Sequence, residues 1–301
     1  MDGFRLSAAD QLIEDGRILE DTPGTHTWLR GFYSHVSSLA PSALVVGDID
    51  NIGPQIVPYT RDQVDIAQEQ DLTSAIIDSL NQGDSRLLRL AQERVLRFYP
   101  PGQYLLYLTD PMQARVIDYL NDDIDAARLA ASLLLTNPGV PMIYFGDEIG
   151  MSGQASLGVI SEPMQWDSTP ENAGFTEGQP WTRLSPLSSG LNVVDQAADP
   201  DSLWSHYHTM IALRLAHPAL QTGEMVMVES DHPAVYSFLR SSDEEQILAV
   251  ANLSGEPVSS YSLKLDSGPL SQVNRAELLF GTGQTFAPTL NQNGGFDRYI
   301  P

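Results

Sequence analysis

The 301 residues suffice for one large domain or two smaller ones with a sizeable core, and 42% hydrophobic with 18% charged residues marks a folded chain rather than a disordered one. A formal net charge of −23, with Lys264 the only lysine, repels phosphate backbones and anionic lipid, so nucleic acid and membranes are set aside as partners while neutral ones remain compatible. The absence of cysteine excludes disulfides and thiolate metal sites, and no stretch approaches the roughly 18 apolar residues of a membrane span.

In chain order, Asp2–Leu6 reads as a short alternating strand, and Ala8–Gly16 and Thr25–Ser38 have helical spacing. Ala43–Gly47 (ALVVG) is a continuous apolar run that predicts a strand buried on both faces, ending at Asp48 and Asp50. Asp71–Gln82 and Ser85–Arg97 are helical, and Tyr104–Thr109 (YLLYLT) is a second buried strand. Asp123–Thr136 is a strong helix stopped by Asn137-Pro138-Gly139, and Val140–Phe145 is a further strand. Strands and helices alternate to about residue 150, which argues for parallel βα units. Ser7, Asp48, Asp110, Asp147 and Glu148 collect at the strand ends, and in a (β/α) barrel those ends form the active-site face.

Residues 152–200 are rich in Gly, Pro, Ser and Asp and predict a long loop. Ser202–Leu215 is one helix. From about 221 the pattern changes to short β runs at Met225–Val228, Val235–Leu239, Ile247–Ala251, Tyr261–Leu265 and Ala276–Leu279. Two domains are expected: 1–220, an α/β partial barrel, and 221–301, a small antiparallel β-sandwich. Met1 opens directly on a strand pattern, so no signal peptide is expected and a cytoplasmic location is favoured.

Several runs together resemble the α-amylase superfamily, glycoside hydrolase family 13. LLLTNPGVPMIYFGDEIGM (Leu133–Met151) looks like its last barrel helix and strand. EPMQWD (Glu162–Asp167), followed by NAGFT and PW, resembles the loop of the oligo-α-glucosidase and trehalose-synthase-like branch. RLAHPAL (Arg214–Leu220) is similar to the helix before the C-terminal β-domain. The resemblance implies a (β/α)8-type barrel represented by roughly strands 4 to 8. The earlier strands, with most calcium ligands, would then lie elsewhere. A half barrel leaves strand edges and apolar interior open, so a partner is expected: a second chain supplying the other half, or a homo-oligomer. No cofactor is expected, and calcium binding stays open.

The resemblance also assigns catalytic positions, and this chain departs from them. Retaining glycosidases use two carboxyls about 5 Å apart, one a nucleophile and one an acid/base. Ser7 stands at the nucleophile position, and a serine needs an adjacent base to attack. Asp48 stands at the acid/base position, where the family carries Glu. In TDPMQAR (Thr109–Arg115), Asp110, Pro111 and Met112 replace an Asn-His-Asp run, so the third carboxylate position holds a thioether. Arg5, which in the family contacts the nucleophile, has Asp48 and Asp110 as alternative partners. Ser161 and Glu162 replace the Arg-Thr often found before PMQW. Arg5, Asp110 and Trp166 are the candidate substrate contacts. The expectation is a non-catalytic structural or regulatory subunit, with residual α-glucan binding left open. The alternative is an α-glucosidase or transglycosidase completed by a second chain.

Overall fold

The computed structural model describes residues 2–50, 53–153, 162–184 and 190–301. By internal packing the chain divides into two compact units: residues 1–75, 90–107 and 139–142 form one, and residues 76–89, 108–138 and 143–301 the other.

The first unit is built on a parallel sheet. β1 (Gly3–Leu6), β2 (Leu44–Gly47), β3 (Ile66–Gln68), β4 (Tyr104–Leu106) and β5 (Val140–Pro141) lie side by side in chain order. Sequential βα units produce this order. Arg5 lies beside Val46, Val46 beside Ile66, Ala67 beside Tyr104, and Leu105 beside Val140. β3 and β4 are buried throughout. β2 corrects the expectation of burial on both faces: Val45 and Gly47 are buried, Val46 is half-buried and Leu44 is exposed. The reason is position, because β2 lies next to the edge strand β1 rather than at the sheet's centre. Gly3 is obligatory there, since a Cβ would run into the Leu44 carbonyl oxygen. The strand expected over Val140–Phe145 pairs only at Val140–Pro141. Pro141 has no N–H to extend the ladder, and the Met142 N–H makes the last bond, to the Leu106 carbonyl at 2.8 Å.

Two helices of this unit are α1 (Pro23–Leu39) and α2 (Val57–Asp62). α1 starts at Thr22, whose hydroxyl accepts the Thr25 N–H at 3.1 Å, with Pro23 in the first turn. The helix expected over Ala8–Gly16 is instead one 3₁₀ turn, Ala9–Gln11. Ala8 adopts a left-handed conformation (φ 46°), and the Thr22 and Thr25 hydroxyls bond the Ile13 backbone. Side chains thereby satisfy groups that a helix would have satisfied internally. α3 (Gln70–Gln82) and α4 (Arg86–Phe98) match their predicted spans to within a residue or so.

The second unit holds α5 (Val116–Tyr119), α6 (Ile124–Thr136), α7 (Val193–Ala198), α8 (Leu203–Ala216) and α9 (Pro218–Thr222). α6 is capped by Asp123, whose carboxylate accepts the Asp125 and Ala126 N–H groups at 2.9 and 3.0 Å. Its C-terminal carbonyls are held by two buried guanidinium groups. Arg214 donates to the Leu135 and Asn137 oxygens at 2.8 and 2.9 Å, and Arg240 to the Thr136 oxygen at 2.6 Å. Positive charge at this end also complements the helix dipole.

The antiparallel sheet of this unit runs β10-β9-β6-β7-β8. Its strands are β6 (Glu224–Ser230), β7 (Val235–Ser241), β8 (Gln246–Asn252), β9 (Leu263–Leu265) and β10 (Phe296–Tyr299). Val228, Leu239, Leu263, Leu265 and Phe296 belong to its core. The strand expected at Ala276–Leu279 is not formed. That stretch pairs with nothing in the sheet and runs into Gly281 and Gly283, both at positive φ. The edge is taken by β10, where Phe296 and Tyr299 face Leu265 and Leu263. No helix among the described residues is long and apolar enough to cross a membrane.

Candidate active site

In the first unit, the C-terminal ends of β1, β2 and β3 bring Arg5, Ser7, Asp48 and Gln68 to one end of the parallel sheet. Arg5 and Gln68 face the same side because Arg5 neighbours Val46, Val46 neighbours Ile66, and Gln68 is two residues on from Ile66. Arg5 donates to the Gln68 side-chain oxygen at 3.0 Å and lies 3.4 Å from an Asp48 carboxylate oxygen. Of the two partners left open from the sequence, Asp48 is therefore engaged, and a neutral amide makes the shorter contact. Gln68 is buried and Asp48 half-buried.

Ser7 occupies the turn after β1 and is exposed. Backbone bonds clamp that turn onto Asp48: the Asp48 N–H donates to the Leu6 oxygen at 2.9 Å, and the Ala9 N–H to the Asp48 oxygen at 2.7 Å. Among the described residues no base stands within hydrogen-bond distance of the Ser7 hydroxyl. Asp50 lies beyond the end of β2, and its N–H donates to the buried Asp10 carboxylate at 3.2 Å. Burial pushes Asp10 upward, its backbone hydrogen bonds opposing.

β3 and the glutamate at its end escape a reading of the sequence, because three residues give too little periodicity. The end of β3 places Gln68 against Arg5 and buries Glu69. The Glu69 carboxylate accepts the Asp71 N–H at 3.2 Å. Burial, with the neighbouring charge of Asp71 adding, raises its pKa to about 7, while Arg94 opposes. The only signal is VDIAQEQ itself, a short apolar alternation running into a carboxylate.

In the second unit, the turn after β4 carries Asp110 and Met112. Asp110 accepts the Met112 N–H at 2.7 Å through its side chain and the Gln113 N–H at 3.0 Å through its backbone, an Asx-type turn. Met112 is exposed. Beneath this turn lies a buried polar cluster. The Thr109 hydroxyl donates to Asp147 at 2.7 Å and accepts the Val116 N–H at 2.9 Å. The Arg115 guanidinium is fully buried, donates to the Phe145 oxygen at 2.7 Å and lies 3.8 Å from Asp147. It also sits over the Tyr144 and Phe145 rings, at 5.3 and 5.0 Å.

Burial raises Asp147 to about 7, with Thr109 and Arg115 pulling against it. Asp147, one of the carboxylates collected at the strand ends, is thus an interior group, and Glu148 accepts the Gly146 N–H at 2.8 Å. Trp166 is exposed on the loop before α7, while Ser161 lies outside the described residues. Among the described residues no three His, Asp or Glu side chains gather as a metal site.

Residues 1–223 match the family model of the alpha-amylase catalytic domain. The chain belongs to the alpha-amylase family. It is 26% identical to alpha-amylase 3 of Dictyoglomus thermophilum over 258 residues, covering 84% of this chain and 50% of that protein. It is 27% identical to the trehalose synthase/amylase TreS of Mycobacterium tuberculosis over 344 residues, covering 97% and 56%. Among solved structures, the alpha-amylase from H. orenii superposes with a TM-score of 0.72 at 27% identity, covering all of this chain and 59% of that one. The trehalulose synthase from Pseudomonas mesoacidophila MX-45 shares the fold, with a TM-score of 0.73 at 21% identity. The chain spans about half the length of these relatives.

Proposed function

We propose that this chain is a non-catalytic member of the alpha-amylase family that serves as a structural or regulatory subunit. The observation that carries the reading is the environment of Arg5. In the family pattern this arginine meets the nucleophilic carboxylate, whereas here its shorter contact is the Gln68 amide and residue 7 is an alcohol. Cleaving a glycosidic bond passes through an oxocarbenium-like state that a carboxylate stabilises by charge. Ser7 has no charge and, among the described residues, no base beside it. Met112, assigned the third carboxylate position, offers only a weak acceptor. Asp48 keeps a carboxyl, but one methylene shorter than the family's glutamate, and a misplacement of about 1 Å costs roughly 10²-fold.

The test is release of 4-nitrophenol from its α-glucoside and of glucose from maltooligosaccharides by the purified chain. The expected result is no turnover above a Ser7→Ala, Asp48→Asn control. Turnover that disappears on Asp48→Asn alone would refute the reading. It would favour the second one, an α-glucosidase or transglycosidase built around the Asp48 carboxylate that Arg5 holds in a solvent-reached position.

A partner is part of the proposal. β1 is an edge of the parallel sheet among the described residues, and its Phe4 joins an aromatic cluster with α1. Phe32 stacks on Trp28 at 5.1 Å and meets Phe4 edge-on at 5.3 Å, and both Trp28 and Phe4 are exposed. An open edge beside exposed aromatics is a pairing surface. A βα segment that extends the parallel sheet fits it best. A second copy is disfavoured because each chain carries −23. Analytical ultracentrifugation of the native particle tests this, and a homodimer would overturn the choice of occupant.

A further inference from the structure

We propose that Ala276–Phe280 is a strap that closes onto the free edge of β8 and adds a sixth strand to the antiparallel sheet, the unpaired arrangement described above being its open state. The inference concerns the second unit alone and holds whether or not the chain cleaves glycosidic bonds. The sheet ends at β8, whose outer side pairs with no strand among the described residues. Alternate residues of such an edge present N–H and C=O groups with no ladder to join. Beside it lies a cavity of about 1120 Å³, and all of β8 and all of Gln272–Thr285 line it. Edge and strap therefore bound one and the same space.

The strap is shaped for the move. The Arg275 guanidinium pairs with the Glu277 carboxylate at 3.0 Å, and side chains two apart meet on one face of an extended chain. The Thr285 hydroxyl donates to the Ala276 oxygen at 3.3 Å and ties the returning arm to the strap. Phe280 meets the His206 ring of α8 edge-on at 5.5 Å, which gives the far end a pivot. Gly281 and Gly283 then turn the chain at φ 100° and 121°, and a Cβ added at either would meet nothing within 4 Å. Glycine in open space lets such a turn swing at little cost.

What the open state leaves unmet selects the occupant. Leu278, Leu279 and Phe280 are 42%, 41% and 46% exposed in one run, and Val250 of β8 is 37% exposed across from them. With a rise of about 3.3 Å, strands about 4.8 Å apart and layers about 10 Å apart, a strand residue fills roughly 160 Å³. The stretch Arg275–Phe280 then needs roughly 950 Å³, close to the space beside β8. The strap is also tethered: Val273 and Leu290, on either side of it, pack against the core of this sheet. Tethering raises its effective concentration at the edge above that of a separate chain, and a second copy carrying −23 is repelled. Closure hides an edge that would otherwise template pairing with other chains, and opening uncovers it.

The test is amide hydrogen exchange of the full chain, read residue by residue by NMR. Alternate amides of Ala276–Phe280 and the outward amides of β8 are expected to exchange at least tenfold slower than in unstructured peptide, which requires about 90% of the molecules to be closed. Leu278→Pro removes an N–H from the new ladder. It is expected to return the outward β8 amides to peptide rates while those of β6 and β7 keep their protection. Where that variant does not fold, Leu278→Cys gives a second reading, because the chain has no other thiol. Its reaction with DTNB is expected to be at least tenfold slower in native protein than in urea. Strap amides or the thiol reacting at unfolded rates would overturn the proposal, as would β8 protection that survives Leu278→Pro unchanged. So would β8 protection that grows with protein concentration, which would make a second copy the occupant.

Discussion

Glu69 makes stability fall as pH rises. Its carboxyl is buried at the end of β3, and its pKa is raised from 4.5 to about 7, chiefly by burial. The folded value lies above the unfolded one, so the folded state holds the proton more tightly. The corresponding stabilisation is fully present below about pH 4.5 and is lost as pH climbs through 7. A shift of roughly 2.5 units corresponds to about 3 kcal/mol, most of it lost between pH 5 and 8.5. The perturbation is Glu69→Gln, which keeps an acceptor for the Asp71 N–H and removes the titration. Urea unfolding is followed by far-ultraviolet circular dichroism at pH 5.0, 7.0 and 8.5, at fixed ionic strength. The native chain should lose stability steadily across the series, and Glu69→Gln should lose about 2.5 kcal/mol less. Asp147, raised to about 7 in the second unit, acts in the same direction, so the variant keeps a residual slope that Asp147→Asn reduces. Identical pH dependence in native and Glu69→Gln protein would refute the reasoning.

A net charge of −23 makes the fold self-repelling, and raising salt from 0.1 to 1 M shortens the Debye length from about 10 to about 3 Å; the melting temperature should climb over that range, and a flat profile in scanning calorimetry would contradict it. Leu265→Ala empties a buried position in the antiparallel sheet and should cost about 3 kcal/mol in urea melts, against less than about 0.5 for Leu39→Ala on the exposed side of α1. Gly139→Ala combines a positive φ of 95° with a Cβ driven into the Tyr104 ring, so it should lower the melting temperature by several degrees, whereas Gly102→Ala, with open space around it, should lower it less.

The sequence is legible where local chemistry decides. α6 is readable because Asp123 caps it, alanine and leucine fill it, and Asn137-Pro138-Gly139 ends it. For Arg5 the resemblance narrows the partners to Asp48 and Asp110, and it is the structure that puts Asp48 beside it. The misses share another cause. β3 is three residues long, and its partners, Val46 on one side and Tyr104 on the other, are far away in the chain. The 3₁₀ turn at Ala9–Gln11 depends on threonines a dozen residues on. Asp147 looks like a loop-end carboxylate because Thr109 and Arg115, which bury it, come from a different strand end. Long-range pairing overrides local pattern in each case.

The arginines at the end of α6 carry one more implication. Arg240 projects from β7 and binds both the Thr136 oxygen and, at 3.0 Å, the Gly223 oxygen; Arg214 reaches two more carbonyls from α8. The sheet after residue 223 is therefore not an appendage that a nick could release. A protease cutting near Gly223 should yield fragments that stay together through gel filtration and separate only in denaturant, because dissociation would strand a guanidinium and a row of carbonyls in a dry interior.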